Sequence, residues 1–408
     1  MIGERSAFLW GAATAGHQVE GNNVNADIWL LEQVRNTGFV EPSGDACDSL
    51  HRWREDIALA ASLGLNCFRF SIEWSRIEPE PGAFSQAWLD HYARIAWACR
   101  EAGLAPVVTL SHFTSPSWFA RLGGWNDPEA TGRFARFAER AGRQLAPVAS
   151  HVVTFNEPNL PLMGRWVSTP LADAARAGLD AMLAEAARAS GSDRFDVWVY
   201  SRGEDDALAH LLNGHRAACQ AWKSERASVL VGMSLALPDA QPVDGESGLA
   251  AYRRLAEAPF FEAARADDFI GVQTYGRIRV GTDSVLPPPD GAERTESGDE
   301  YYPQALGAAI RHAHEQTGRP VLVTENGIAA ADDALRARYI PAALASLDNA
   351  QAQGIPVLGY IHWSLLDNFE WRRGYRQHFG LFSVDRANFR RAPKPSAAAY
   401  AAAVRRRR

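Results

Sequence analysis

The segment that decides the fold is HVVTFNEP, residues 151–158, an apolar run that ends in polar residues. Its β-branched and aromatic side chains favour a β-strand. Because most apolar residues follow one another rather than alternate with polar ones, that strand should be buried on both faces. Seven further runs share this character. They lie at residues 8–15, 67–74, 105–112, 229–236, 269–276, 320–327 and 357–365.

Helices are predicted between these runs. Residues 48–63, 85–102 and 128–145 place apolar side chains three and four positions apart, with Asp or Ser near the start of the pattern. Alternating strands and helices pair the strands in parallel through right-handed crossovers, so eight units predict an α/β fold, a closed (β/α)8 or TIM barrel. A doubly wound open sheet is the alternative, but GAATAG, residues 11–16, lacks the glycine pattern of its phosphate-binding turn.

The chain is longer than the barrel requires. It has 408 residues, whereas a minimal barrel needs about 250. We therefore predict elaborated loops and extra helices at residues 22–46, 161–206, 238–248 and 282–299. No linker or internal repeat divides the sequence, which predicts a single domain over residues 1–408.

Composition excludes several classes of function. The sequence is 47% hydrophobic and 22% charged, and 42 basic against 48 acidic side chains give a net charge of −6. We therefore predict no nucleic-acid partner and no membrane partner, and no apolar run approaches the roughly 18 residues of a membrane span. The four cysteines lie far apart without a C-x-x-C pair, which indicates a reducing compartment and predicts a cytoplasmic protein.

Polar and aromatic residues close or follow most of the apolar runs. In a barrel of parallel strands, chemistry is found where the strands end, so these residues are the candidates for a functional site. They include His17, Gln18, Glu20, Arg69, Glu73, His112, Asn156, Glu157, Gln273, Tyr275, Glu325, Asn326, Trp363, Asp367, Asn368, Glu370 and Trp371.

Two of these candidates are carboxylic acids that end otherwise apolar strands. Glu157 closes the fourth run and Glu325 the seventh, and these strands should face each other across the barrel. Burying a carboxyl group costs free energy unless the group is paired with another polar group or has a role in function. A structural role, with each glutamate paired to an arginine, is the simpler alternative, but it does not require both at strand ends beside aromatic residues. Two facing carboxyl groups are the catalytic groups that glycoside hydrolysis requires.

The residues around these glutamates resemble the motifs of the family 1 glycoside hydrolases, the β-glucosidase and β-galactosidase group. The resemblance extends from residue 8 to about residue 400, with the motifs in the order of the family. The matching segments are FLWGAATA (8–15) with QVEG (18–21), FRFSIEWSRI (68–77), TFNEP (154–158), VTENG (323–327) and WSLLDNFEW (363–371).

The resemblance implies a retaining β-glycosidase, most simply a β-glucosidase that acts on terminal β-D-glucosyl, galactosyl or fucosyl residues. Glu325 would be the nucleophile and Glu157 the acid/base. Arg69 is placed to keep Glu325 ionised through a charge-assisted bond, and Tyr275 to donate to the same carboxylate. Apolar neighbours of Glu157 should raise its pKa into the range of a general acid.

The resemblance also implies a binding site for a small β-glycoside or oligosaccharide. Asn156 would lie near the sugar 2-hydroxyl, and Trp363 would be the platform under the ring. The remaining implied sugar ligands are Gln18, His112, Gln273, Glu370 and Trp371. No cofactor and no metal ion are predicted.

The sequence departs from the family at several positions near this site. Phe113 follows His112 where the family usually has Trp, and Gln273 replaces the usual Asn on the sixth strand. His362 precedes Trp363 where an apolar residue is common. These changes leave both glutamates in place and affect the expected preference for substrate.

Other functions remain open on the sequence alone. A 6-phospho-β-glycosidase or a transglycosylase could use the same catalytic pair, and a sugar-binding protein without turnover should have lost one glutamate. A metal-dependent hydrolase would have to use His312 and His314, but these lie in a helical stretch where positions i and i+2 do not share a face.

Glu370 should determine whether a sugar 6-phosphate can bind. A carboxylate beside the sugar 6-position repels a phosphate, so an unphosphorylated β-glucoside should have a much higher kcat/KM than its 6-phosphate. Steady-state kinetics on matched nitrophenyl glycosides measure this ratio. The reverse ranking would place the protein in the 6-phosphate branch, with Arg372 and Arg373 as phosphate ligands.

Overall fold

Eight parallel strands form a closed barrel in the computed structural model, which describes residues 8–167, 170–243 and 246–408. Each strand is hydrogen-bonded to its neighbours in the chain, and the first strand pairs with both the second and the last. The strands are β1 (Leu9–Ala13), β2 (Cys67–Ser71), β3 (Ala105–Ser111), β4 (His151–Asn156), β5 (Leu230–Ala236), β6 (Phe269–Thr274), β7 (Val321–Asn326) and β8 (Val357–Trp363). The predicted (β/α)8 barrel and its eight strands are confirmed.

Helices surround the barrel and fill the connections between strands. The α-helices are Gly16–Val19, Asp27–Gln33, Ser49–Ser62, Trp74–Ile77, Gln86–Glu101, Ser117–Arg121, Ala130–Leu145, Leu160–Trp166, Pro170–Ser190, Asp205–Glu225, Glu246–Ala256, Ala258–Ala264, Ala305–Thr317, Asp333–Ala352 and Pro395–Arg407. Short 3-10 helices occur at Gly124–Asn126, Trp198–Tyr200 and Trp371–Arg373. Short strands outside the barrel form two small sheets, Asp239–Pro242 with Arg277–Val280 and Val285–Leu286, and Phe382–Val384 with Arg391–Pro393.

The predicted helices and elaborated connections are present. Those expected at residues 48–63, 85–102 and 128–145 agree with the observed ends to within two residues. The connection at residues 161–206 carries two α-helices and a 3-10 helix rather than irregular chain alone. Residues 168–169 and 244–245, which belong to two predicted connections, lie outside the described residues, as do residues 1–7.

The strands are buried on both faces, as continuous apolar runs predict. Every residue of β1, β2, β4, β6 and β7 is buried. The barrel therefore fixes where each strand ends, and with it the positions of the polar residues there.

Among the described residues, no helix combines the length and the apolar character that crossing a membrane requires.

Neighbouring strands approach closely beside Gly232 on β5. A Cβ atom at this position would lie 2.3 Å from the carbonyl oxygen of Phe269, its register partner on β6. Real Cβ atoms do not come this close to a backbone atom. Only glycine fits here without a shift of one strand.

We expect Gly232→Ala to lower the free energy of unfolding by about 1–3 kcal/mol, the usual range for overpacking a dense interior. The matched control is Gly178→Ala on the helix Pro170–Ser190, where an added Cβ has no neighbour within 4 Å. There alanine should be neutral or stabilising by up to about 1 kcal/mol. Thermal melting followed by circular dichroism distinguishes the two, and a wild-type melting temperature for Gly232→Ala would contradict the argument.

Candidate active site

A cavity of about 390 Å³ lies where the barrel strands end. Eight of the eleven predicted site residues line it, and they come from the ends of five strands and the connections that follow. These residues are His112, Asn156, Glu157, Tyr275, Glu325, Trp363, Glu370 and Trp371. The other three, Arg69, Gln18 and Gln273, are buried beside the cavity without lining it.

Glu325, the penultimate residue of β7, receives two short hydrogen bonds. Arg69 Nη1 donates to its Oε1 over 2.6 Å, and the Tyr275 hydroxyl donates to its Oε2 over 2.6 Å. Both predicted contacts are therefore present. Burial raises the pKa of Glu325, and the charge of Arg69 and the Tyr275 hydrogen bond act against that rise. These donors favour the carboxylate form.

Arg69, which extends from β2, is almost completely buried, with 1% of its surface exposed. Besides Glu325, its guanidinium donates to Asn156 Oδ1 over 2.5 Å and to Thr109 Oγ1 over 3.0 Å. It also donates to the carbonyl oxygen of Thr324. The arginine thus joins four strands of the barrel, β2, β3, β4 and β7.

Glu157 follows β4 directly, and its carboxyl group lacks the hydrogen-bond donors that surround Glu325. No described side chain or backbone group donates a hydrogen bond to its carboxyl group, and its backbone N–H donates to the Ser234 carbonyl over 2.8 Å. Burial raises the pKa of Glu157 well above the usual range, the charge of Glu325 raises it further, and Arg69 opposes the rise. Its φ of 47° is in the left-handed region, a conformation that costs a non-glycine residue about 1–3 kcal/mol.

Asn156 is oriented by two donors. Its Oδ1 accepts from Arg69 and, over 2.7 Å, from Gln273 Nε2. Its Nδ2 is buried without a hydrogen-bond partner, so the amide presents an unused donor at the cavity wall. Gln273, the departure on the sixth strand, therefore supports Asn156 from behind the cavity.

Aromatic rings form one wall of the cavity. The His112 ring is stacked near the Trp363 ring, with centroids 5.5 Å apart, and near the Trp371 ring at 6.1 Å. Trp363 Nε1 donates to Glu370 Oε1 over 3.4 Å. Burial raises the pKa of Glu370 to about 8. Gln18 Nε2 donates to the Phe369 carbonyl over 2.7 Å, which places Gln18 beneath the segment that carries Glu370.

The strand-end rule missed the residues around the cavity mouth, because these come from the long connections. An apolar group comprises Phe113, Leu160, Val199, Tyr200, Ile328, Ala329 and Phe379, and a polar group comprises Thr295, Ser297, Asp299, Arg372, Arg373 and Gln377. Among these, only Phe113, Arg372 and Arg373 had a signal in the sequence. Phe113 follows the predicted ligand His112, and the two arginines follow Glu370.

The two histidines of the metal-hydrolase alternative have separate partners. His312 and His314 lie on the helix Ala305–Thr317, as predicted. His312 Nε2 is 2.6 Å from Glu257 Oε2, and His314 Nδ1 is 2.8 Å from the Arg319 carbonyl oxygen. The two side chains therefore do not form one site.

Comparison with known proteins agrees with the fold and identifies the family. The family model described as "Glycosyl hydrolase family 1" matches residues 4–251 and 279–408. The chain belongs to this family, and it is a glycoside hydrolase.

Relatives and solved structures align over nearly the whole chain. A solved structure of "beta-glucosidase 1317" superimposes with a TM-score of 0.94 at 44% identity and covers 98% of both chains. "Beta-glucosidase A" of Thermotoga maritima is 28% identical over 98% of this chain and 97% of its own. The "Bifunctional beta-D-glucosidase/beta-D-fucosidase" of Bifidobacterium breve is 31% identical over 95% of each.

Proposed function

We propose that the protein is a retaining β-glucosidase that hydrolyses terminal non-reducing β-D-glucosyl residues through a covalent glycosyl-enzyme intermediate. The observation that carries this proposal is the difference between the two glutamates of the cavity. The Glu325 carboxylate accepts hydrogen bonds from Arg69 and Tyr275, whereas no described group donates to the Glu157 carboxyl group. These contacts favour the ionised form of Glu325, whereas the Glu157 carboxyl group, buried without a donor, favours the protonated form.

The reaction assigns one role to each carboxyl group. In the first step the Glu325 carboxylate attacks the anomeric carbon while Glu157 gives its proton to the leaving oxygen. In the second step Glu157, now ionised, takes a proton from water, which displaces Glu325 from the sugar. The scheme requires no cofactor and no metal ion, because the carboxyl groups supply nucleophile, acid and base.

The polar groups of the site suit a neutral polyol. The buried Asn156 Nδ2 and His112 Nδ1 have no hydrogen-bond partner, and both residues line the cavity. Such groups gain most from a ligand that supplies hydroxyls. The face of Trp363 offers a surface for the apolar C–H side of a pyranose.

Gln18 and Gln273 each orient a neighbouring group of the glycone site in this proposal. Gln273 orients the amide of Asn156, and Gln18 holds the backbone next to Glu370 through the Phe369 carbonyl. Gln18 Oε1 and Gln273 Oε1 are buried without a hydrogen-bond partner, so each amide also keeps an acceptor for the sugar, which His112, Trp363, Glu370 and Trp371 contact as well.

The names of the relatives support glucose as the preferred glycone. The Thermotoga maritima relative is named a β-glucosidase, and the Bifidobacterium breve relative a β-glucosidase and β-fucosidase. Glu370 argues against a 6-phosphate, because no described cation contacts its carboxyl group. Ionised, that group would repel the phosphate, and protonated, as a pKa of about 8 favours near neutral pH, it would supply no counter-charge. β-Glucosides, β-fucosides and β-galactosides should therefore be compared in one assay.

The stereochemical course tests the mechanism. Glu157→Ala should form the glycosyl-enzyme from an activated aryl β-glucoside, and azide should then release it as the β-glycosyl azide, because azide needs no general base. Glu325→Ala should give the α-azide instead. Each variant alone should lose several orders of magnitude in turnover, and proton NMR identifies the anomers.

The unmodified enzyme provides the control for this experiment. Its first-formed sugar, recorded before mutarotation, should be the β-anomer. An initial α-anomer would show inversion and would make Glu325 a general base. Near-normal turnover by Glu325→Ala on an aryl β-glucoside would contradict the assignment of the nucleophile.

Tyr275→Phe tests the electrostatic difference between the two glutamates. Removing a donor to the Glu325 carboxylate raises the pKa of Glu325, so the acidic limb of the kcat/KM profile should move to higher pH. The alkaline limb, set by Glu157, should move less. The matched control is Tyr200→Phe, which lines the same cavity without a hydrogen bond to either glutamate. An unchanged acidic limb in Tyr275→Phe would contradict the proposed role of the tyrosine.

A further inference from the structure

A second cluster of reactive side chains lies on the outside of the barrel. His215 and Cys219 project from the helix Asp205–Glu225, and Asp267 precedes β6. His215 Nε2 is 3.0 Å from Asp267 Oδ1, and Cys219 Sγ is 3.9 Å from His215 Nε2 and 3.8 Å from Asp267 Oδ1. One ligand atom from each residue falls within 4.8 Å of the other two.

The carboxyl group of Asp267 is incompletely satisfied. Its Oδ2 is buried and has no hydrogen-bond partner, and only 6% of the residue is exposed. Leaving a buried polar atom unpaired costs about 1–3 kcal/mol. A cavity of about 160 Å³ adjoins the cluster, and both Asp267 and Cys219 line it. The cluster therefore has an unused acceptor and space beside it.

A Cys–His–Asp nucleophile is the first alternative, and the geometry opposes it. Both His215 nitrogens are already engaged, Nδ1 with Thr154 Oγ1 at 2.8 Å and Nε2 with Asp267. Cys219 Sγ is almost equally far from the two nitrogens, at 3.7 and 3.9 Å, so neither is directed at the thiol. Burial raises the pKa of Cys219, which disfavours an activated thiolate.

We propose that His215, Cys219 and Asp267 bind one Zn²⁺ or a similar divalent transition-metal ion. Thiolate, imidazole and carboxylate are the zinc ligands of proteins. A tetrahedral zinc ion holds nitrogen and oxygen ligands about 3.4 Å apart, and sulfur about 3.6 Å from either. The observed nitrogen–oxygen separation of 3.0 Å is shorter than expected, and the separations of 3.8 and 3.9 Å to sulfur are slightly longer, so side-chain movements of about 0.2–0.4 Å complete the site.

The surroundings of the cluster supply the remaining features of a metal site. The contact of Thr154 with His215 Nδ1 fixes the ring, so the ion would replace the direct contact between His215 Nε2 and Asp267 Oδ1. The adjoining cavity leaves room for a water molecule as the fourth ligand. Binding of the ion would displace the Cys219 thiol proton to solvent, and the resulting thiolate together with the Asp267 carboxylate would neutralise the ion. Lys223 lines the same cavity and opposes the binding of a cation, although Asp268 at 2.7 Å offsets part of its charge.

Metal titration tests the site without reference to catalysis. The full-length, tag-free protein is stripped with a chelator and titrated with Co²⁺, then with Zn²⁺. We expect one equivalent of Co²⁺ to give a visible ligand-field spectrum with a thiolate-to-cobalt charge-transfer band, and Zn²⁺ to remove both. Zn²⁺ should also raise the melting temperature, because an ion that binds only the folded state stabilises it.

Variants identify the ligands. Cys219→Ala should lose the charge-transfer band, and Asp267→Asn should weaken binding at least tenfold. Cys99→Ala, at a buried cysteine on the helix Gln86–Glu101, should keep the full spectrum. Lys223→Gln should bind the ion more tightly, because it removes the nearby positive charge.

Two outcomes would overturn the proposal. One is the absence of a charge-transfer band in the wild-type protein at millimolar Co²⁺, and the other is its persistence in Cys219→Ala. If that variant does not fold, alkylation of Cys219 in the wild-type protein, followed by mass spectrometry, replaces it. Zn²⁺ should slow that alkylation at least tenfold, and an unchanged rate would equally refute the site.

Discussion

The buried guanidinium of Arg69 is the charge on which the rest of the site depends. With 1% of its surface exposed, it cannot be compensated by water, and an uncompensated buried charge is strongly destabilising. Its partners are the Glu325 carboxylate and the oxygens of Asn156, Thr109 and Thr324. Because these partners come from β3, β4 and β7, the arginine couples the ionised state of one glutamate to the register of the barrel.

Arg69 distinguishes among the three carboxylic acids of the cavity. Glu157, Glu325 and Glu370 all line the cavity, but Arg69 donates only to Glu325. Burial therefore raises the pKa of each acid, and the rise is opposed by direct hydrogen bonds from a cation and a hydroxyl only at Glu325. The site thus distinguishes chemically identical groups by their partners, as general acid and nucleophile require. The left-handed backbone at Glu157 is part of the same arrangement, since strain of this kind persists where the surrounding fold imposes it.

Much of this arrangement could be predicted from the sequence, because parallel strands in a barrel end on one face. That rule predicts that Arg69, Tyr275 and Glu325 lie together, as they do. It could not predict that Gln273 would donate a hydrogen bond to Asn156 rather than line the cavity. Contacts between side chains behind the cavity wall depend on side-chain geometry, which strand order does not determine. Nor could it predict the mouth of the cavity. Residues such as Tyr200 reach it from long connections, whose course is not fixed by strand register.

The two ends of the barrel differ in what they require of the chain. Catalysis needs Asn156 and Glu157 held at the end of β4, whereas residues toward the other end serve mainly stability. Thr154 belongs to the same strand and contacts His215 on the outer helix. An ion held by His215 would therefore fasten that helix to the strand that carries Glu157, without entering the cavity. Close-packed interiors transmit strain. Such an ion would therefore act on catalysis only by making β4 more rigid.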